Sequence, residues 1–543
     1  MDRISTKPLE ALPIPTLLDT AVAAFADRPA LSFQGRRWTY GQLAVLVDRA
    51  AAGLQQLELR PGDKVGLCLP NTPYFVIFYY AALKAGLVVV NYNPLYVSRE
   101  LRHQIEDSGT STMVVPDLAK IYDKVVEIET LQRVIVCPFT GVLPTLKGIA
   151  FSLLRRSMLA SPAYGDRIIP YSRFNVGGAT PAPVLIDPSD LAVLQYTGGT
   201  TGRPKGAMLT HANLSINAQQ TTHHMPSMRP GEEKMVGVLP FFHVFAMTSI
   251  MNGGLSMGAE IILHPRFEID AIMASLTRDM PTMLHAVPTI YAAIATAAEK
   301  HRADISSLRV CVSGGAPLPA EIRERFQTLT GCRIIEGYGL TEAAPAVTSN
   351  PPDGEVRADS VGIAVQGTTV EIRSLEDITR ILPPGERGEI CVRGPQVMKG
   401  YLNREQETRD AFIDGALRTG DVGCLDADGY LFITDRIKDL IICSGYNVYP
   451  RVVEDALYEH PAVAEAIVLG MPDSYRGQAP LAFVTLRSGE ARTGEELREF
   501  LRDKLSPVEL PVRVEIRTSL PKTAIGKLSR KELTEEAIAL SST

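Results

Sequence analysis

The sequence predicts an α/β protein: a large multi-sheet α/β N-terminal domain that includes a small β-rich subdomain, followed by a small α+β C-terminal domain. Length is the first reason, since 543 residues exceed one ordinary core and call for at least two domains. The second is an alternation of short β-rich runs with helix-patterned stretches, which belongs to parallel sheets covered by helices. The third is a change of texture from about Gly362, where short segments are separated by tight turns.

The alternation starts with KVGLCLP, YFVIFYYAALKAG and LVVVNYNP and continues through TMVVP, RVIVC, LAVLQYT, EIILH, LRVCVSGG and CRIIEGYG. Several of these runs end in glycine or small polar residues, and ligands of open α/β sheets sit at the carboxyl ends of strands. The β-rich subdomain is expected from TTVEIRS, GEICVRG and YLFITD, with PPGERG and DADG as turns. After DRIKDL come strands AEAIVLGM and LAFVTLR, the helix TGEELREFLRDKL and strand VRVEIR. Thr493 and Glu496 form a capping-box pattern, and Leu497, Phe500, Leu501 and Leu505 share one face. The domains are therefore set at 1–437 and 438–543.

Composition narrows the function. Apolar residues make up 45% and charged residues 21%, which are globular values. A net charge of -6, from 55 basic and 61 acidic residues, lacks the basic footprint of a nucleic-acid binder. The 7 cysteines include no CxxC and suit a reducing compartment. Pro13, Pro15 and Asp19 interrupt any secretory h-region, so the expected location is the cytoplasm. Met235 to Ala259 is long and uncharged enough to mimic a membrane span, but Pro240, His243, Asn252, Gly253 and Gly254 read as a pocket wall inside protein. Gly141 to Ala160 mixes apolar residues with Lys147, Arg155 and Arg156; it reads as a surface helix, with peripheral contact to an anionic membrane as the alternative.

The stretch YTGGTTGRPKGAMLTH, Tyr196 to His211, follows a strand-like run. Gly198, Gly199 and Gly202 let backbone amides approach an anion, while threonine hydroxyls and Lys205 add donors and charge. This is phosphate-cradle chemistry but not a Walker loop, because Pro204 precedes Lys205. GYGLTE at Gly337 falls short of GxGxxG, with Glu342 in the last position. No His/Cys cluster offers a zinc site, His223 and His224 being adjacent.

Several motifs along nearly the whole chain resemble the adenylate-forming superfamily of acyl-CoA synthetases, peptide-synthetase adenylation domains and luciferases, and among them bacterial medium- and long-chain fatty acid CoA ligases. They are LKAGLVVVNYNPLY, the Tyr196 to His211 stretch, LPFFHVFAM, VSGGAPLP, EGYGLTEAAP, RTGDVG, ITDRIKDLIICSGYNVYP and PKTAIGKLSR. The resemblance implies ATP-dependent activation of a carboxylate to an acyl adenylate, with pyrophosphate release, then transfer to coenzyme A. It implies Thr197, Thr200, Thr201 and Lys205 on the β- and γ-phosphates, Thr341 on the α-phosphate, and Mg²⁺ held by Glu342 with Thr197. Tyr338, between Gly337 and Gly339, would stack on adenine opposite Gly315, Ala316 and Pro317. Asp421 would accept from the ribose hydroxyls, assisted by Arg436 and Ile433.

By the same resemblance, Lys527 neutralises the carboxylate and α-phosphate oxygens, and His243 orients the acyl carboxylate. The C-terminal domain is mobile: after adenylation it rotates about Lys438, and the loop containing Gly445 and Tyr446 lines the thiol's path. LSPVELPVRVEI lacks a lysine near its proline that many relatives carry, which puts a coenzyme A contact there in doubt. Phe242 is followed by His243 where amino-acid-activating relatives keep an aspartate, so no carboxylate awaits an amine. Phe241, Phe245, Met247, Met251, Gly253 and Gly254 are expected to line an apolar channel for a fatty acid. Alternatives are a fatty acyl-AMP ligase loading a carrier protein, or a ligase for dicarboxylic or aromatic acids; homodimer formation stays open.

Overall fold

The computed structural model describes residues 7–197, 204–225, 227–352, 357, 359–444, 446–473, 476–523 and 528–540. Among them, two sheets with parallel centres face each other across a shared core. One has nine strands, and its parallel run is Pro29–Phe33, Glu260–Leu263, Lys234–Gly237, Met283–Ala286, Val310–Ser313 and Ile334–Gly339. Antiparallel strands close both of its edges. The other has seven strands, parallel from Ile168–Pro170 to Leu191–Thr197, with Lys205–Thr210 returning antiparallel at the edge.

The helix Pro73–Lys84 explains why the sheets stay together. Every residue from Pro73 to Leu83 is buried, so it has no solvent face and serves as core. Asn71, just before it, donates to the carbonyls of Gly237 and Leu239 at 3.0 and 2.8 Å and accepts from Phe241 N at 2.8 Å. One side chain from the connection that follows a strand of the seven-stranded sheet thereby fixes the loop leaving a strand of the nine-stranded one.

Two smaller sheets follow, as the turn-rich texture predicted. Thr369–Arg373, Gly388–Arg393, Ala416–Leu425 and Leu431–Arg436 pair antiparallel. Val463–Asp473 and Gly477–Leu486 pair antiparallel, with Arg513–Arg517 parallel to the latter. The capping box at Thr493 is formed, and its helix spans Gly494–Leu501. Arg487 and Glu321 link this last sheet to the large part of the chain through a salt bridge.

The uncharged stretch from Met235 is not one helix. It is divided among the strand Lys234–Gly237, a loop, a π-helical run Ala246–Asn252 and the short helix Gly253–Ser256, all inside protein. Among the described residues no helix is long and apolar enough to cross a membrane.

Candidate active site

The carboxyl ends of both parallel sheets open into one cleft of about 2870 Å³. Glycines bring its walls close. A Cβ on Gly339 would lie 2.2 Å from the Pro345 carbonyl oxygen, so only glycine lets the chain leave the strand Ile334–Gly339 and turn into Thr341 and Glu342. Behind it, Glu336 is paired with Arg323 at 3.0 Å and accepts from Leu318 N at 3.4 Å, pinning the Gly315–Pro319 loop against the strand. Burial raises the Glu336 carboxyl above its ordinary range despite Arg323.

On one wall the Tyr338 hydroxyl donates to Asp421 Oδ2 at 2.6 Å, and Arg436 Nε pairs with Asp421 Oδ1 at 3.1 Å. Asp421 and Arg436 face each other in the register of adjacent strands, and Ile433 lies on the same strand as Arg436. Burial, and then the Asp421 charge, push the Tyr338 hydroxyl well above its usual range, so it stays a donor. On the other wall Thr197 and Lys205 are register partners in the hairpin whose loop carries the glycines. The Lys205 ammonium lies 4.9 Å from the centre of the Tyr401 ring, and the Tyr401 hydroxyl donates to Glu342 Oε1 at 2.7 Å.

Tyr401 is a site residue the sequence did not reveal. Its backbone bridges Ala207 in the hairpin, and Met398 N donates to the Glu342 carbonyl at 2.8 Å. One strand-like segment thus ties the Lys205 hairpin to the Glu342 turn. Glu336 and Asp435 were missed in the same way. Asp435 is buried, accepts from Arg451 N at 2.8 Å, and is pushed up to about 6 by burial.

Of the remaining expected residues, Gly315, Ala316, Pro317, Gly337, Thr341, Asp421, Ile433, Arg436 and Lys438 line the cleft. Burial, then Arg436, hold the Lys438 ammonium below its usual range. Tyr446 does not join them: it is 65% exposed in the hairpin strand Tyr446–Val448 and lies off the cleft. Gly198, Gly199, Thr200, Thr201, Gly202, Gly445 and Lys527 lie outside the described residues. Thr523 and Leu528, on either side of the segment bearing Lys527, line the cleft.

A smaller pocket of about 100 Å³ adjoins the cleft, and His243, Tyr338 and Thr341 line both. Its apolar lining includes Met225, Leu239, Val244 and Phe245. The expected channel residues divide here. Phe245 lines the pocket, but Phe241, Met247 and Met251 are fully buried in the main core, to which the loop and π-helical run turn them. Gly254 is a packing glycine, since a Cβ there would lie 2.6 Å from Met235 Sδ.

The cleft therefore combines cations, carboxylates and a hydroxyl-rich hairpin beside an apolar pocket, the equipment of an enzyme that joins a nucleotide to an acyl group. The model of the AMP-binding enzyme family matches residues 18–402, and that of the AMP-binding enzyme C-terminal domain matches 452–527. The chain belongs to the AMP-binding enzyme family. It is 40% identical to a long-chain-fatty-acid–CoA ligase of Bacillus subtilis over 97% of this chain and 95% of that one. A feruloyl-CoA synthase of Amycolatopsis is 34% identical over 93% and 95%. Among solved structures, ATP-bound MatB from Rhodopseudomonas palustris superposes with a TM-score of 0.83 at 28% identity, covering 97% and 99% of the two chains. The anthranilate CoA ligase AuaEII with anthranoyl-AMP gives 0.83 at 26% identity, covering 99% of each.

Proposed function

We propose that this chain is an AMP-forming fatty acid CoA ligase. The observation that carries the reading is the opening of an uncharged, largely apolar pocket into a cleft walled by Tyr338–Asp421–Arg436 on one side and Lys205–Tyr401–Glu342 on the other. A fatty acid seats its chain in the pocket and its carboxylate at His243. The carboxylate attacks the α-phosphorus of ATP, pyrophosphate leaves, and the thiol sulfur of coenzyme A then attacks the acyl carbonyl, releasing AMP.

Both steps concentrate negative charge, so catalysis rests on positioned cations and donors. Thr197, Thr200, Thr201, Lys205 and the amides of Gly198, Gly199 and Gly202 hold the β- and γ-phosphates; Thr341 meets the α-phosphate. Tyr338, opposite Gly315, Ala316 and Pro317, supports the base, and Asp421 with Arg436 holds the ribose. Lys527 neutralises the oxygens at the reacting centre. Glu342, whose Oε1 accepts from the Tyr401 hydroxyl, and Thr197 would hold magnesium, an ion that prefers one or two carboxylates together with phosphate oxygens and water. When bound, the ion supplies positive charge to the triphosphate.

The boundary between the two domains falls at 437/438, with Lys438 the hinge and the Gly445–Tyr446 loop swinging in for thioester formation; the exposure of Tyr446 fits a loop not yet engaged. The reading places the enzyme in the cytoplasm. Exposed Leu146, Ile149, Leu153 and Leu154 on the helix Thr145–Leu154, beside Lys147, Arg155 and Arg156, favour contact with the inner membrane over a plain solvent face.

The test is product analysis with purified protein, saturated fatty acids and ATP. AMP and pyrophosphate are expected, with sustained turnover only when coenzyme A is present. ADP and phosphate as products, or no response to any carboxylic acid, would reject the proposal.

A further inference from the structure

Asp107 stands where a helix disfavours a carboxylate. It occupies the last turn of Ser98–Ser108, beside the negative end of the helix dipole, where cations are preferred. Both of its oxygens are committed to segments far along the chain. The Tyr196 hydroxyl donates to Oδ2 at 2.8 Å, across 89 positions, and the Arg404 guanidinium donates to Oδ1 at 2.7 Å, across 297. Burial, and then Asp107 itself, hold the Tyr196 hydroxyl above its usual range, so it remains the donor.

These two partners flank the proposed seat of the triphosphate. Tyr196 directly precedes Thr197, and in the hairpin Tyr196 pairs with Gly206 as Thr197 pairs with Lys205. The Tyr196 ring lies against Gly206, where a Cβ would come within 3.2 Å of the ring carbon that bears the hydroxyl. The Gly206 carbonyl accepts from Leu402 N at 2.9 Å, and Arg404 N donates to the Tyr401 carbonyl at 3.3 Å. The contacts close a circuit from Asp107 through Tyr196, Gly206 and Leu402 to Arg404 and back to Asp107. That circuit joins the strand delivering Thr197, the strand delivering Lys205 and the segment whose Tyr401 hydroxyl reaches Glu342.

The side chains of Asp107 and Arg404 are 9% and 27% exposed. An ion pair so largely withdrawn from water adds little net stability, because desolvation offsets the attraction; what it supplies is geometry. We propose that Asp107 is a positioning residue for the β- and γ-phosphates, holding the Tyr196 hairpin and the Arg404 segment at the separation the triphosphate requires. Asp107 touches no substrate atom and acts through Thr197, Lys205 and Tyr401. The inference rests on the ligase reading for what the cleft holds, and it carries a signature of its own. AMP lacks the two outer phosphates, so its binding does not sense Asp107.

The experiment is calorimetric titration of the purified full chain with magnesium ATP and, separately, with AMP, for the wild type, Asp107→Asn and Tyr196→Phe. Asp107→Asn is expected to weaken ATP binding by about tenfold and Tyr196→Phe by about threefold, with AMP affinity kept within about twofold in both. The ratio of the AMP and ATP dissociation constants is internal to each variant, so a reduced folded fraction does not move it. Arg404→Lys, which keeps the charge, should retain more of the wild-type ratio than Arg404→Gln. In turnover, Asp107→Asn should raise the KM for ATP and leave the KM for fatty acid unchanged. A wild-type ratio in both Asp107→Asn and Tyr196→Phe, or an equal loss of ATP and AMP, would make Asp107 a residue of the fold alone and overturn the proposal. If the ratio shifts as expected and yet no carboxylic acid yields AMP, the ligase reading falls and the positioning role stands.

Discussion

The Tyr338 hydroxyl and the Asp421 carboxylate are joined by a 2.6 Å hydrogen bond between residues 83 positions apart, so the proposed base platform and ribose acceptor form one unit. Arg436 balances the charge from the other oxygen of Asp421. Replacing the carboxylate removes the counter-charge of Arg436, whereas removing the Tyr338 hydroxyl leaves the ring and the ion pair in place. Asp421→Asn should raise the KM for ATP by about tenfold, and Tyr338→Phe by less than about threefold. Steady-state kinetics with varied ATP at saturating acid and coenzyme A checks the order of the two effects.

Tyr401 touches Glu342 and lies against Lys205, so its hydroxyl is a positioning group for the proposed metal ligand. Tyr401→Phe keeps the ring and loses the hydrogen bond. Partners of metal ligands typically contribute 10–100-fold in affinity, so the magnesium concentration for half-maximal activity should rise by about tenfold. Excess magnesium should restore kcat. A magnesium curve superimposable on that of the wild type would show that Glu342 needs no such support.

Gly339 tests the close approach that delivers Thr341 and Glu342. Gly339→Ala forces a methyl to 2.2 Å from the Pro345 carbonyl oxygen and should cost about 1–3 kcal/mol or more, with loss of adenylation. Gly165→Ala, where nothing lies within 4 Å, is the control and should leave the melting temperature unchanged.

Three buried histidines, His211, His264 and His285, are each held down to about 4 by burial. Their pKa is lower in the folded state than in the unfolded one, so between about pH 6.5 and 4 the unfolded chain binds more protons. Stability is fully present above 6.5 and falls as the pH drops through that window, by about 3 kcal/mol per histidine across its whole width. Melting temperatures measured from pH 7 to pH 5 should decline on acidification. His264→Gln, which cannot titrate, should flatten that decline.

Much of the architecture was legible in the sequence because the strands are short, continuous apolar runs. LAVLQYT and LRVCVSGG became Leu191–Thr197 and Val310–Ser313. The Thr493 capping box was legible because it is local, with Thr493 N donating to Glu496 Oε2 at 2.7 Å. That helix ends at Leu501, short of Leu505, since Arg502 to Lys504 tighten into a turn before Pro507. Tyr401 left no trace, because its contact with Glu342 joins residues 59 apart and nothing in MKGYLN marks a site. The channel assignment failed at Met247 and Met251 because an apolar run does not disclose which residues face core and which face a pocket.

In the proposed reaction a carboxylate is adenylated in this cleft with Lys527 neutralising the reacting oxygens. ATP–pyrophosphate exchange driven by fatty acid without coenzyme A, compared between wild type and Lys527→Ala, tests it most directly. Exchange is expected in the wild type and none above background in the variant, with thiolysis of supplied acyl adenylate largely retained by the variant. Exchange at the wild-type rate in Lys527→Ala would contradict it.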